Sequence, residues 1–201
     1  MLGSVLYLCG KTCPLIAPVV NMLATTGLGR GKLWDKQWVH LLGYLQQSLR
    51  DDPGIFYRER RKGDSLTPRI DGLSDASFFS TREGRSLGGF IILYGGAAVA
   101  WRSSLSKTIC LSTTEAEAAA ASELARELLW LGQWNSEMGF DTTPMHVGID
   151  NLAALRSFVT GSGGKGSRHT RYKIQHLRQC IQDGLMIAQH VGTKFNLADA
   201  M

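Results

Sequence analysis

The sequence predicts an α/β fold: three antiparallel strands extended by parallel ones, helices on both faces of that sheet, and a small, mainly helical segment in front of it. Three observations predict it. Strand-like runs at residues 70–75, 87–94 (LGGFIILY) and 97–102 (AAVAWR) follow one another, the last two separated only by Gly95-Gly96, and short connections of this kind join antiparallel neighbours. Helical and strand-like stretches then alternate, as in parallel units: a long Ala-, Leu- and Glu-rich helix at 113–134, a strand at 146–150 (HVGID), a helix at 152–159, a Gly-rich loop at 161–167, a helix at 169–182 and a strand at 185–191. Finally, 44% of the 201 residues are hydrophobic and 19% charged, enough for an ordinary core and without a disorder signature.

The first part of the chain reads differently. Trp34, Trp38, Leu41, Leu45 and Leu49 recur at three- and four-residue spacing, one face of an amphipathic helix, which the turn residues Asp51-Asp52-Pro53-Gly54 end. Residues 5–8 and 14–23 are expected as shorter helices around Pro and Gly breaks, and 55–57 as a short strand. A charged stretch at 58–69, with Gly63 and Pro68, reads as a linker or solvated loop. The expected division is a helical segment at 1–62 and a second domain at 63–201.

Bulk properties exclude several classes. The four cysteines, Cys9, Cys13, Cys110 and Cys180, form no CxxC pair, which argues against a zinc ribbon or a disulfide framework and for a reducing compartment. Cys9 and Cys13 are expected as thiols in a helix core. No apolar run reaches the ~20 residues of a membrane span, and the start of the chain lacks the basic region of a signal peptide. A net charge of +5 leans mildly toward a polyanionic partner.

The order β-β-β-α-β-α-α-β is that of the ribonuclease H-like fold, and it gives four scattered carboxylates a common destination. Asp75 and Asp150 end expected strands and Asp199 follows the last one; strand ends in an α/β sheet meet at a ligand crevice. Each also fits a structural role, as turn former or cap. The long helix offers Glu115 or Glu117. Ser112-Thr113-Thr114-Glu115 has capping-box spacing, which assigns Glu115 to the helix start. Glu117 instead heads the apolar stripe of Ala121, Leu124, Leu128 and Leu131, where a carboxylate without a partner has no structural use. Four converging carboxylates require cations. Oxygen-only ligands suit Mg²⁺ or Mn²⁺, and two such ions ~4 Å apart clamp a phosphodiester.

Lys165, Arg168, His169, Arg171, Lys173, His176 and Arg178 form a run without an acid, either a solvated face or a phosphate-binding one. Lys165, Arg168, Arg171 and Lys173 are the candidate substrate contacts. His190, upstream of Asp199, either packs or assists proton transfer and product release. Trp101 and Trp130 are expected in the core.

These same residues carry a resemblance. LSDASF, GGFIILYGGAAVAWRSSLSKTICLSTTEAEA, GIDNLAAL, SRHTRYKIQHLRQCI and HVGTKFNLADA resemble the ribonuclease H region of copia-type retrotransposon Pol polyproteins. Upstream, LGSVLYL, NMLATTG and WVHLLGYLQQSLRDDPGIFY resemble the segment that joins reverse transcriptase to it. The resemblance implies cleavage of the RNA strand of RNA–DNA hybrids, with two Mg²⁺ or Mn²⁺ ions on Asp75, Glu117, Asp150 and Asp199. It implies the hybrid and the reverse transcriptase portion of the same polyprotein as partners, and an intracellular setting, cytoplasmic or nuclear. The chain departs from the family's pattern at Ala118, where an aromatic is usual, at Thr12 to Ile16, where TRPDI is common, and at Arg168 to Tyr172, where KHIDI is common. The family also continues beyond its last aspartate, so Asp199, close to Met201, is expected to be poorly held. Two other readings stay open: a catalytically inactive nucleic-acid-binding or structural relic of the same domain, and another nuclease or strand-transfer enzyme of the same fold.

Overall fold

The computed structural model describes residues 2–25, 31–51, 54–57, 59, 67, 69–78, 84–107, 109–161 and 168–201. Among them are the strands β1 (Ile70–Ser77), β2 (Leu87–Tyr94), β3 (Ala97–Leu105), β4 (Met145–Ile149) and β5 (Met186–His190). They form one mixed sheet in the order β3-β2-β1-β4-β5. β1 runs antiparallel to β2, and β2 to β3; β4 lies parallel to β1, and β5 to β4. With the helices α4 (Thr113–Glu137), α5 (Leu152–Thr160) and α6 (Arg168–Gln182) inserted between them, this is the ribonuclease H-like fold. β1 runs two residues past Asp75 and β3 reaches Leu105, so Asp75 lies inside its strand rather than at the end.

Strand periodicity builds two cores. Successive side chains point to opposite faces. Phe90 and Ile92 join α4, α5 and α6 in one apolar cluster, while Ile91 and Leu93 join another on the opposite face. α4 lays its stripe of Ala121, Leu124 and Leu128, all fully buried, across the first face. Gly72 makes that approach possible, since a Cβ there would lie 2.7 Å from Leu124 Cδ1. Trp130 departs from the expectation of a core residue. It is 64% exposed, because two positions past Leu128 turn it about 200° away from the buried stripe.

The second face is covered from the N-terminal side, by α1 (Leu2–Lys11), a 3-10 turn (Pro14–Ile16), α2 (Ala17–Thr25) and α3 (Lys32–Asp51). Val5, Cys9, Val20, Leu23, Trp38, Leu41 and Leu45 pack with Leu73, Ile91 and Ala98 of the sheet. The Leu49 side chain lies outside what is described. Trp34 stacks on Trp38 with centroids 5.7 Å apart. Two side chains fasten the layers: Trp101 Nε1–H donates to the Cys9 carbonyl at 2.7 Å and Asn21 Nδ2–H to the Ser103 carbonyl at 2.8 Å. Trp101 is partly buried and packs against the edge of this core. Cys9, Cys13, Cys110 and Cys180 form no disulfide, and burial pushes the Cys9 thiol up. Cys13 lies beyond α1 rather than within a helix.

Residues 55–57 are not a strand. Phe56 and Tyr57 are largely exposed and supply no apolar face, so one hydrogen bond, from the Tyr57 hydroxyl to the Ala98 carbonyl at 3.1 Å, replaces a ladder. Most of 58–69 lies outside the described residues. No helix among those described is long and apolar enough to cross a membrane.

Candidate active site

Parallel pairing of β1 with β4 brings Asp75 and Asp150 together. Asp150 directly follows β4, and Asn151, not Asp150, caps α5: its Oδ1 accepts the N–H groups of Ala153 and Ala154 at 3.0 and 3.1 Å. α4 brings Glu117 to the same place. Ser112 caps that helix, its Oγ accepting the Glu115 N–H at 3.2 Å.

The capping box differs from expectation. Glu115 Oε2 accepts the N–H of Leu111 at 2.7 Å, not that of Ser112, because its other oxygen accepts the Thr170 hydroxyl of α6. Glu115 thereby joins the start of α4 to that of α6 instead of facing solvent. Removing it in Glu115→Ala is expected to lower stability by about 1–2 kcal/mol, read as a lower urea midpoint at unchanged slope.

Carboxylate oxygens of Asp75, Glu117 and Asp150 all lie within 4.8 Å of one another. Glu117 is 5% exposed, and its Oε2 is buried without a hydrogen-bond partner. Burial first, then the charges of Asp75 and Asp150, raise the Glu117 carboxyl to about 8, against a lowering hydrogen bond from the Ala76 N–H. Burial, then Asp150 and Asp199, raise Asp75 as well. A carboxylate buried among like charges with an unused oxygen fits a hard divalent cation bound by oxygen ligands.

Asp199 stands apart from this triad. It is exposed on a 3-10 turn, Leu197–Ala200, near enough for its charge to reach Asp75. The expectation that it is loosely held is not met: Asn196, Ala198 and Met201 around it are buried, and its N–H donates to the Asn196 carbonyl at 3.1 Å. Packing of the turn against the sheet holds it despite its position in the chain. His190 ends β5, exposed, with Nε2 3.0 Å from the Asp150 carbonyl.

The basic run divides. Lys173 and His169 of α6 line a cavity of about 210 Å³ with Arg102, Lys107, Glu123 and Ala76, the neighbour of Asp75. Arg168 and Arg171 are exposed on the same helix and are not among its lining residues. Lys165 and the rest of the Gly-rich loop lie outside the described residues, except Gly161, which ends α5 in a left-handed conformation (φ 71°). Sequence reasoning missed Arg102 and Lys107, which strand and loop bring to the cavity from afar. It also missed Asn196, whose place before the turn is an N-cap signal.

Fold and site together define a ribonuclease H-like domain with a clustered acidic triad. Over its length the chain is similar to a region of copia-type retrotransposon Pol polyproteins. It is 27% identical over 207 residues, covering 99% of this chain, to the retrovirus-related Pol polyprotein from transposon TNT 1-94 of Nicotiana tabacum. It is 26% identical over 213 residues, covering 100% of this chain, to that from transposon RE1 of Arabidopsis thaliana. It spans only 14% and 13% of those two polyproteins. A third relative, secreted RxLR effector protein 161 of Plasmopara viticola, is 32% identical over 130 residues, which cover 64% of this chain and 87% of that protein. No protein-family model matches the chain. Among solved structures, LC11-RNase H1 in complex with RNA/DNA hybrid is similar at a TM-score of 0.47 and 16% identity, over 64% of this chain and 89% of that one.

Proposed function

We propose that this domain hydrolyses the RNA strand of RNA–DNA hybrids, using two divalent ions, Mg²⁺ or Mn²⁺, at Asp75, Glu117 and Asp150, with Asp199 as a fourth carboxylate. The observation that carries the reading is the triad itself, with the buried, unpartnered oxygen of Glu117 at its centre. Ions bound there supply activation of water and charge stabilisation at the scissile phosphate. The protein's own part is to hold three oxygen ligands on three rigid elements, β1, α4 and the end of β4. Lys173, Arg102 and Lys107 bind backbone phosphates along the adjoining cavity, with Arg168, Arg171 and Lys165 on the approach, and the hybrid is recognised by shape and 2′-hydroxyls rather than base sequence. His190 assists proton transfer or product release beside Asp150. The segment of residues 1–62 is the end of the reverse transcriptase connection, and the polymerase portion of the same polyprotein is the partner.

The test is cleavage of a hybrid labelled on each strand in turn, in Mg²⁺, Mn²⁺ and chelator. The expected result is cutting of the RNA strand alone, lost on chelation. Equal cutting of the DNA strand overturns the hybrid specificity. Retained hybrid binding by a folded protein that never cuts assigns instead the inactive binding module. In the same assay Lys173→Ala is expected to weaken binding across all sequences and to reduce the slope of log affinity against log salt by about 1.

A further inference from the structure

The carboxamide of Asn196 is 4% exposed and both ends are used. Nδ2–H donates to the Ser74 carbonyl of β1 at 3.2 Å, one residue before Asp75. Oδ1 accepts the Ala198 N–H at 3.2 Å and caps the turn that carries Asp199. On the far side of that turn Met201 is seated over Gly89 of β2, where a Cβ would collide with it, and Gly89 is the strand partner of Asp75. The turn is therefore clamped across β1, β2 and β3 at the level of Asp75, by the Asn196–Ser74 bond, by the Ser103 hydroxyl of β3 donating to the Met201 carbonyl at 2.9 Å, and by one close apolar contact. The Asp199 side chain itself is exposed, so the docking of the turn sets its position.

We infer that Asn196 is a positioning residue: through Ser74 and Ala198 it fastens the Asp199 turn beside Asp75 and so makes Asp199 available to the metal site. The inference rests on the nuclease reading above. A carboxylate on a 3-10 turn contributes to ion binding only while the turn stays docked, and an outer residue that orients a ligand is typically worth 10–100-fold in metal affinity.

The experiment is calorimetric titration of the full chain with Mn²⁺, for the unaltered protein, Asn196→Ala, Asp199→Asn and the double variant, each checked by thermal melting. Asn196→Ala and Asp199→Asn are each expected to weaken Mn²⁺ binding about tenfold, and the double variant to be no weaker than Asp199→Asn alone. Should Asn196→Ala not fold, Asn196→Ser and Gly89→Ala loosen the same turn from its two sides and are held to the same non-additivity. A merely structural role predicts multiplying losses instead. Such multiplication, or unchanged affinity in Asn196→Ala, overturns the inference while leaving the metal site standing. Absence of Mn²⁺ binding by the unaltered chain overturns the nuclease reading and the inference with it.

Discussion

Asp75→Asn combined with Asp150→Asn is expected to abolish hybrid cleavage, a fall of roughly 10³-fold or more, the scale of losing a preorganised electrostatic group, and to raise the melting temperature of the metal-free protein. The two effects have one cause. Three carboxylates with oxygens within 4.8 Å repel one another until cations neutralise them, and burial already disfavours the charged forms of Asp75 and Glu117. Neutral amides of the same shape remove the repulsion and the ion ligands together. Cleavage and thermal melting in chelator, measured side by side, check it. Lost cleavage with a lowered melting temperature would point instead to a damaged fold.

The second large effect is on pH dependence. Glu117 has its carboxyl raised from 4.5 to about 8 in the folded, metal-free protein. Below pH 4.5 folded and unfolded chains both hold the proton, and the group imposes no penalty. Between 4.5 and about 8 only the folded state holds it, so stability falls as pH rises; above 8 the penalty is complete. The slope approaches 1.4 kcal/mol per pH unit at its steepest. Urea unfolding in chelator between pH 5 and pH 8 is expected to show this decline, and Glu117→Gln to remove it. Added Mg²⁺ is expected to stabilise most at the alkaline end, where the carboxylate is already free of its proton. A Glu117→Gln protein that keeps the full decline would assign it to another group.

How much of this was legible in the sequence can be followed residue by residue. The strands and helices of residues 70–191 were readable because each obeys its own period and ends on turn residues; their bounds shifted by a few positions, since sheet pairing extends β1 and β3 beyond their apolar runs. Glu117 was separable from Glu115 by helix phase alone, since it heads the stripe on which Ala121, Leu124 and Leu128 are buried. Glu115 was only half legible. Its place at the helix start follows from spacing, but its bond to Thr170 depends on α6, fifty-five residues away. Trp130 and residues 55–57 were misread for a shared reason: an aromatic or β-branched residue has the same local propensity whether or not a partner surface exists for it.

The amino-acid sequence by itself determined the element order, the alternation that gives the sheet two apolar faces, and the four carboxylates at positions compatible with one crevice. These are local properties, set by periodicity, capping and the polar or apolar character of single side chains. Only the tertiary structure decided which of the four converge, that the N-terminal helices close the second face of the sheet, and that Asn196 and Met201 hold the Asp199 turn on β1, β2 and β3. Those outcomes depend on contacts between residues as much as 122 positions apart, and no local period encodes such distances; they arise when burial of both sheet faces selects one packing of the whole chain.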